Sequence, residues 1–175
     1  MFVRPVALLF APVLAALALG VEAKPAEASD SLIAKIQKAR QATWYWQRIM
    51  QRQRTPASNE DLTQRNAAYK RWVLGLWRHR AGAAYRMAQS PPHETAFRCI
   101  HRHEGPWHAN TGNGYYGGLQ MDLVFQRRYG SWLLRMRGPA HRWTPVQQIW
   151  VGERALRAGR GFYPWPVAAR RCGLL

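Results

Sequence analysis

The sequence predicts a mainly helical α+β protein: a pair of basic helices, then a small domain of short helices with one β-hairpin. Three observations predict it. Leu32, Ile36, Ala39, Thr43, Trp46 and Met50 follow a 4-3-4-3-4 spacing, and Tyr69, Val73, Leu76, Ala83 and Met87 repeat it. That spacing puts each set on one helix face. Pro91-Pro92 breaks the pattern. Beyond it lies a Gly-rich stretch, Asn110 to Gly118, whose Asn113-Gly114 is a strong hairpin-turn dipeptide.

Taken in order, Arg4, the apolar run Val6 to Gly20 and the small residues of Val21-Glu22-Ala23 have the layout of a secretory signal peptide over residues 1–23. The run is short of the roughly 20 residues a spanning helix needs, so cleavage and release are expected rather than a membrane anchor. Residues 24–30 read as a flexible lead. The first helix follows, ended by Arg54-Thr55-Pro56, and Ser58-Asn59-Glu60-Asp61 has the form of a capping box for the second. A short turn between stripes of matching length predicts an antiparallel helical hairpin over 24–90. Trp44, Tyr45, Trp46, Trp72 and Trp77 are expected to pack within it, a wall-binding or partner-binding face being the other reading.

The domain over 91–175 opens with a helix from Glu94 to Arg102. Asp122 suits the N-cap of a helix from Leu123 to Tyr129. Thr144-Pro145-Val146-Gln147 combines N-cap, N1 proline and capping-box Gln, and Gly159 ends that helix. Phe162 to Pro166 reads as extended.

Composition narrows the function. Lys and Arg number 26 against 9 Asp and Glu, a net charge of +17. Such an excess suits polyanions. An exported protein meets the anionic polymers of a cell wall before it meets nucleic acid, so wall retention is expected and nucleic acid is not. Cys99 and Cys172 are the only cysteines. In an oxidising compartment one intramolecular bridge is the default, against two free buried thiols. It would close a loop of about 70 residues, worth about 4 kcal/mol in the chain-entropy model.

The chemistry concentrates between Cys99 and Gln120. Glu104 stands near Trp107, ahead of a turn crowded with amides and hydroxyls. A carboxyl half-buried against an indole stays protonated near neutral pH and can donate to a glycosidic oxygen; a surface ion pair with a neighbouring Arg or His is the bland alternative. Cys99-x-His101-x-His103 invites a metal reading, but residues two apart on a helix point about 200° apart. No metal or cofactor is expected.

Asn110 to Gln120 reads N-T-G-N-G-Y-Y-G-G-L-Q. With Gln147-Gln148-Ile149, Trp165-Pro166-Val167 and the two cysteines, it resembles the resuscitation-promoting factor and transglycosylase-like family of the lysozyme superfamily over roughly 96–175. The resemblance implies a lysozyme-like catalytic domain in which Glu104 is the general acid and Cys99 pairs with Cys172. The cleft would be lined by Trp107, Asn110, Thr111, Asn113, Tyr115, Tyr116 and Gln120. The chain departs from the family in three places. Many members place the Glu directly after the first Cys, whereas Ile100-His101-Arg102-His103 intervenes here; four residues are close to one helical turn. The spacing from Glu104 to Trp107 is two residues shorter than the G-G-N-W form, and Phe125 stands where relatives often have Thr. Glu94 precedes the cysteine and loses the alignment.

Asp122 is the second carboxylate the segment offers, as catalytic partner or only as helix cap. If it only caps, a single-acid lytic mechanism is favoured over the two-carboxylate schemes of other glycosidases. The reading is therefore a secreted, wall-located enzyme cutting the MurNAc–GlcNAc β-1,4 bond of peptidoglycan strands, as lytic transglycosylase or muramidase. A wall-binding module of the same fold without turnover is the alternative.

Overall fold

The computed structural model describes residues 25–175, with side chains from Asp30 onward; the export signal expected over 1–23 lies outside them. The described residues are mainly helical, with one two-stranded antiparallel sheet. Among the described residues no helix is long and apolar enough to cross a membrane.

Helix α1 spans Pro25–Ile49, so the expected flexible lead is helix from the proline onward; Pro is preset for a first turn. Ile36, Ala39, Thr43 and Met50 of its stripe are buried. The chain leaves the helix earlier than Arg54, at Gln51, which takes a left-handed φ of 55°. It then runs back along α1. Trp44 Nε1 donates to the Thr55 carbonyl at 2.9 Å, the Gln47 amide brackets Thr55, and Arg40 holds the Ser58 carbonyl and the Asp61 carboxylate. The short helix α2 (Glu60–Thr63) follows. The expected capping box does not form, because the Ser58 hydroxyl accepts from Glu60 while Asp61 is engaged by Arg40 and Tyr69. Helix α3 (Ala67–Ala88) starts later, capped by the Asn66 side chain.

This return segment overturns the antiparallel hairpin. Trp44 meets Trp77, Trp46 meets Tyr85, and Arg52 just beyond α1 reaches Met87. Residue numbers rise together along both helices, so α1 and α3 run parallel. The stripe on α3 is also rotated by about one position. Val73, Leu74, Trp77, Ala84 and Ala88 are buried, whereas Met87 is 42% exposed; the bulky indole of Trp77 takes the inward place. Two aromatics leave the pair: Tyr45 turns to Trp132 and Trp72 faces solvent.

Two apolar clusters result. Ile36, Ala39, Val73, Leu74 and Trp77 seal the upper part of the helix pair. The other joins Ile49, Met50, Ala84 and Ala88 to Phe97, Ile100, Leu119, Leu133, Trp143, Ile149 and Trp165, so the lower ends of α1 and α3 belong to the second half's core. The residues that fasten them come from helix α6 (Pro145–Ala155). Trp150 Nε1 donates to the Ala88 carbonyl at 2.8 Å, and Gln147 donates to the Tyr45 hydroxyl.

Buried Arg154 donates to the carbonyls of Arg48, Ile49 and Tyr129. A cation at a helix C-terminus satisfies orphan carbonyls and favours the dipole. Burial, with Arg157 and Arg48 nearby, pulls its pKa down to about 10, so it is charged at neutral pH. Arg154→Leu leaves three carbonyls short of a donor and is expected to cost about 2–4 kcal/mol. Urea unfolding checks this; a change under about 0.5 kcal/mol would show that the cap carries no weight.

In the second half, helix α4 covers Glu94–Glu104. Strands β1 (Tyr115–Tyr116) and β2 (Met121–Asp122) pair antiparallel, Tyr115 opposite Asp122. The hairpin turn is therefore 117–120. Asn113-Gly114 turns the chain one step earlier, bringing Asn110 into a bridge with Tyr116. Asp122 caps helix α5 (Leu123–Arg137), which runs past the expected end at Tyr129 and kinks at Gly130. There a Cβ would come within 2.7 Å of the Trp143 indole, so only Gly admits that ring. Thr144 and Gln147 form the capping box of α6, which passes into a π-helical turn, Leu156–Arg160, ended by Gly159 and Gly161 in left-handed conformations. Residues 161–165 form turns rather than an extended run, and Pro166 opens helix α7 (Pro166–Arg171).

Candidate active site

Helix α4 buries Phe97 and Ile100 and turns Cys99 towards α7, where it bridges to Cys172. Its last residue is Glu104. The carboxyl opens on a groove of about 460 Å³. His103, Glu104, Asn113, Tyr115 and Gln120 form one side and Pro164 to Ala168 the other. Two contacts join the sides: the disulfide and a 2.6 Å bond from Trp165 Nε1 to the Leu119 carbonyl.

Desolvation raises the Glu104 pKa above its ordinary value, with the His103 charge opposing it. Burial disfavours the ionised form and leaves a proton available for donation. Among the described residues no hydrogen bond or ion pair ties this carboxyl down. The second half's other acids are engaged elsewhere. Glu94 pairs with Arg98, Glu153 with His93, and Asp122 Oδ1 accepts from the Phe125 N–H at 2.6 Å as the cap of α5. Among the described residues Glu104 is the one acid lining the groove.

Buried Gln148 fixes the Gly-rich turn. Its Oε1 accepts from the Gly118 N–H, while its amide nitrogen lies 2.8–3.1 Å from the carbonyls of Trp107, Ala140 and Trp143. Two N–H groups are thus shared among three acceptors. Gln120, at a left-handed φ of 44°, holds the Gly117 carbonyl.

Of the residues expected in the cleft, Asn113, Tyr115 and Gln120 line the groove with Glu104. Trp107 is not among its lining residues. That ring stacks on His101 at 4.0 Å and covers Gly118, so the groove's indole is Trp165. Tyr116 packs against His141, and Asn110 and Thr111 are exposed outside the groove. His103 and the Pro164–Ala168 wall were missed by the sequence reading, although Trp165-Pro166-Val167 stood out as a motif. Ligand-type atoms of Cys99, His103 and Cys172 lie within 4.8 Å of one another. Both sulfurs are consumed by the disulfide, which leaves one imidazole.

Residues 92–168 match the family model of the transglycosylase-like domain. Resuscitation-promoting factor Rpf1 of Corynebacterium glutamicum is 43% identical over 70 residues, 40% of this chain and 35% of that protein. RpfE of Mycobacterium tuberculosis is 42% identical over 67 residues, 38% and 36% of the two chains. Rpf of Micrococcus luteus is 34% identical over 70 residues, 40% and 29%. The chain thus spans about a third of these relatives' length. Over residues 92–168 it is similar to the transglycosylase-like domain, and over about 70 residues to the resuscitation-promoting factors.

Proposed function

We propose that the protein is a secreted peptidoglycan-cleaving enzyme that cuts the MurNAc–GlcNAc β-1,4 bond with Glu104 as its single general acid and base. One observation carries this reading: a desolvated, unpaired carboxyl stands in a glycan-sized groove, while the second half's other acids are tied into structure. The similarity to the transglycosylase-like domain and the export pattern over 1–23 support it.

In the first step neutral Glu104 donates its proton to the leaving glycosidic oxygen as the C–O bond breaks. Positive charge spreads over the ring oxygen and anomeric carbon. Glu104, now a carboxylate, takes the proton of the muramic C6 hydroxyl, and that oxygen closes on the anomeric carbon as a 1,6-anhydro ring. Glu104 ends protonated, so the cycle needs no cofactor. Asn113, Tyr115 and Gln120 hold sugar hydroxyls, and Asp122 serves as a helix cap. The catalytic unit is taken as 91–175, with 24–90 as a packed basic extension.

Mass spectrometry of purified wall after digestion tests the mechanism. Anhydro-muramic ends are expected. Reducing ends alone would replace it with hydrolysis, and no released muropeptide would leave a wall-binding module of the same fold.

A further inference from the structure

A second groove lies away from Glu104, where the end of α1 and its return segment face α5. It encloses about 590 Å³ and, among the described residues, has no acid in its lining. Arg48, Arg52 and Arg54 project there beside Gln41, Gln51 and the rings of Trp44, Tyr45 and Trp132. The guanidinium of Arg54 sits 3.4 Å from the centroid of Trp44, and that of Arg48 sits 4.4 Å from Trp132. None of the three arginines has a carboxylate partner among the described residues.

A guanidinium laid on an indole keeps its charge and its in-plane N–H fork, while the ring restricts its rotamers. Two such forks flanking one groove are set for bidentate oxyanions. Uncovered ring faces are what stacked nucleobases need, and here each indole already carries a guanidinium. The chemistry favours a chain of oxyanions joined by hydroxyl-bearing units without bases.

We propose that this groove is a binding site for a phosphodiester-linked polyol or sugar polymer, which holds the enzyme on the envelope while the Glu104 groove works on the glycan. It rests on the extracellular reading above, but not on catalysis.

The test titrates the signal-free protein with soluble poly(glycerol phosphate) over a salt series, alongside polygalacturonate and oligo-dT. Arg48→Gln/Arg54→Gln is expected to weaken polyphosphodiester binding at least tenfold. It should also flatten the salt dependence by about one to two counterions. Arg71→Gln/Arg78→Gln, which removes equal charge from exposed positions on α3, should stay within twofold. Circular dichroism and unchanged cleavage of soluble glycan fragments confirm that the groove variant is folded. Equal losses in both double variants would reduce the site to diffuse charge and overturn the proposal. So would tighter binding of the uronate or the DNA, or no binding at low salt. An inactive wild type that still binds through this groove would sink the enzyme reading alone.

Discussion

Glu104→Gln is expected to lower glycan cleavage by about 10²- to 10⁴-fold, the span a positioned general acid contributes, with the fold intact. Gln keeps the shape and polarity but has no transferable proton. Among the described residues no other acid lines the groove to take over. Muropeptide release on purified wall reads the loss directly; release at the wild-type rate would remove Glu104 from the mechanism. Burial raises the folded-state pKa above the ordinary 4.5, so the donor form persists to higher pH than a solvated Glu allows. Activity should fall as pH rises through that elevated value. The stability linkage has the same sign. For a raised pKa the contribution is complete below the unfolded value and is lost as pH rises through the folded one. Wild-type melting temperature should therefore decline across that window while Glu104→Gln stays flatter. Wild-type activity that climbs through the window would contradict the acid role.

Cys99→Ser/Cys172→Ser carries the largest expected stability loss. The bridge spans a sequence separation of 73, and closing a loop of that size is worth about 4 kcal/mol in the chain-entropy model. For a chain of this length that corresponds to a fall of about 10 °C in melting temperature. Activity should fall too, because Cys99 lies on the helix that ends in Glu104 and Cys172 follows the helix that begins at the opposite wall. Calorimetry with and without dithiothreitol checks the first effect, and cleavage below the melting range checks the second. A reduced protein that melts within a degree or two of the oxidised one would refute the cross-link's role.

Where the determinants are local, the sequence was readable. Thr144 with Gln147 and Asp122 with Phe125 are contacts three residues apart, and both caps form as their spacing implies. The glycines of 112–118 likewise mark turns. The direction of α3 was not readable, because it depends on Trp44, Gln47 and Arg40 gripping a segment 8 to 21 residues onward. No periodicity encodes such contacts. The site divides along the same line. Glu104, Asn113, Tyr115 and Gln120 lie on one stretch that the family resemblance singles out. The far wall, Pro164 to Ala168, reaches them only through tertiary contacts, namely the Trp165 indole on Leu119 and the cystine. Trp107 was drawn towards the acid by proximity in sequence, but His101 and Gly118 supply a better surface for its ring.

Arg154 and Trp150 grip the carboxyl ends of both parallel helices from within the lysozyme-type half. The basic front segment is consequently a buttress rather than a tethered appendage. Trimming it away would uncover greasy patches and strand a buried cation, so the basic helices and the groove-bearing half stand or fall as one melting unit.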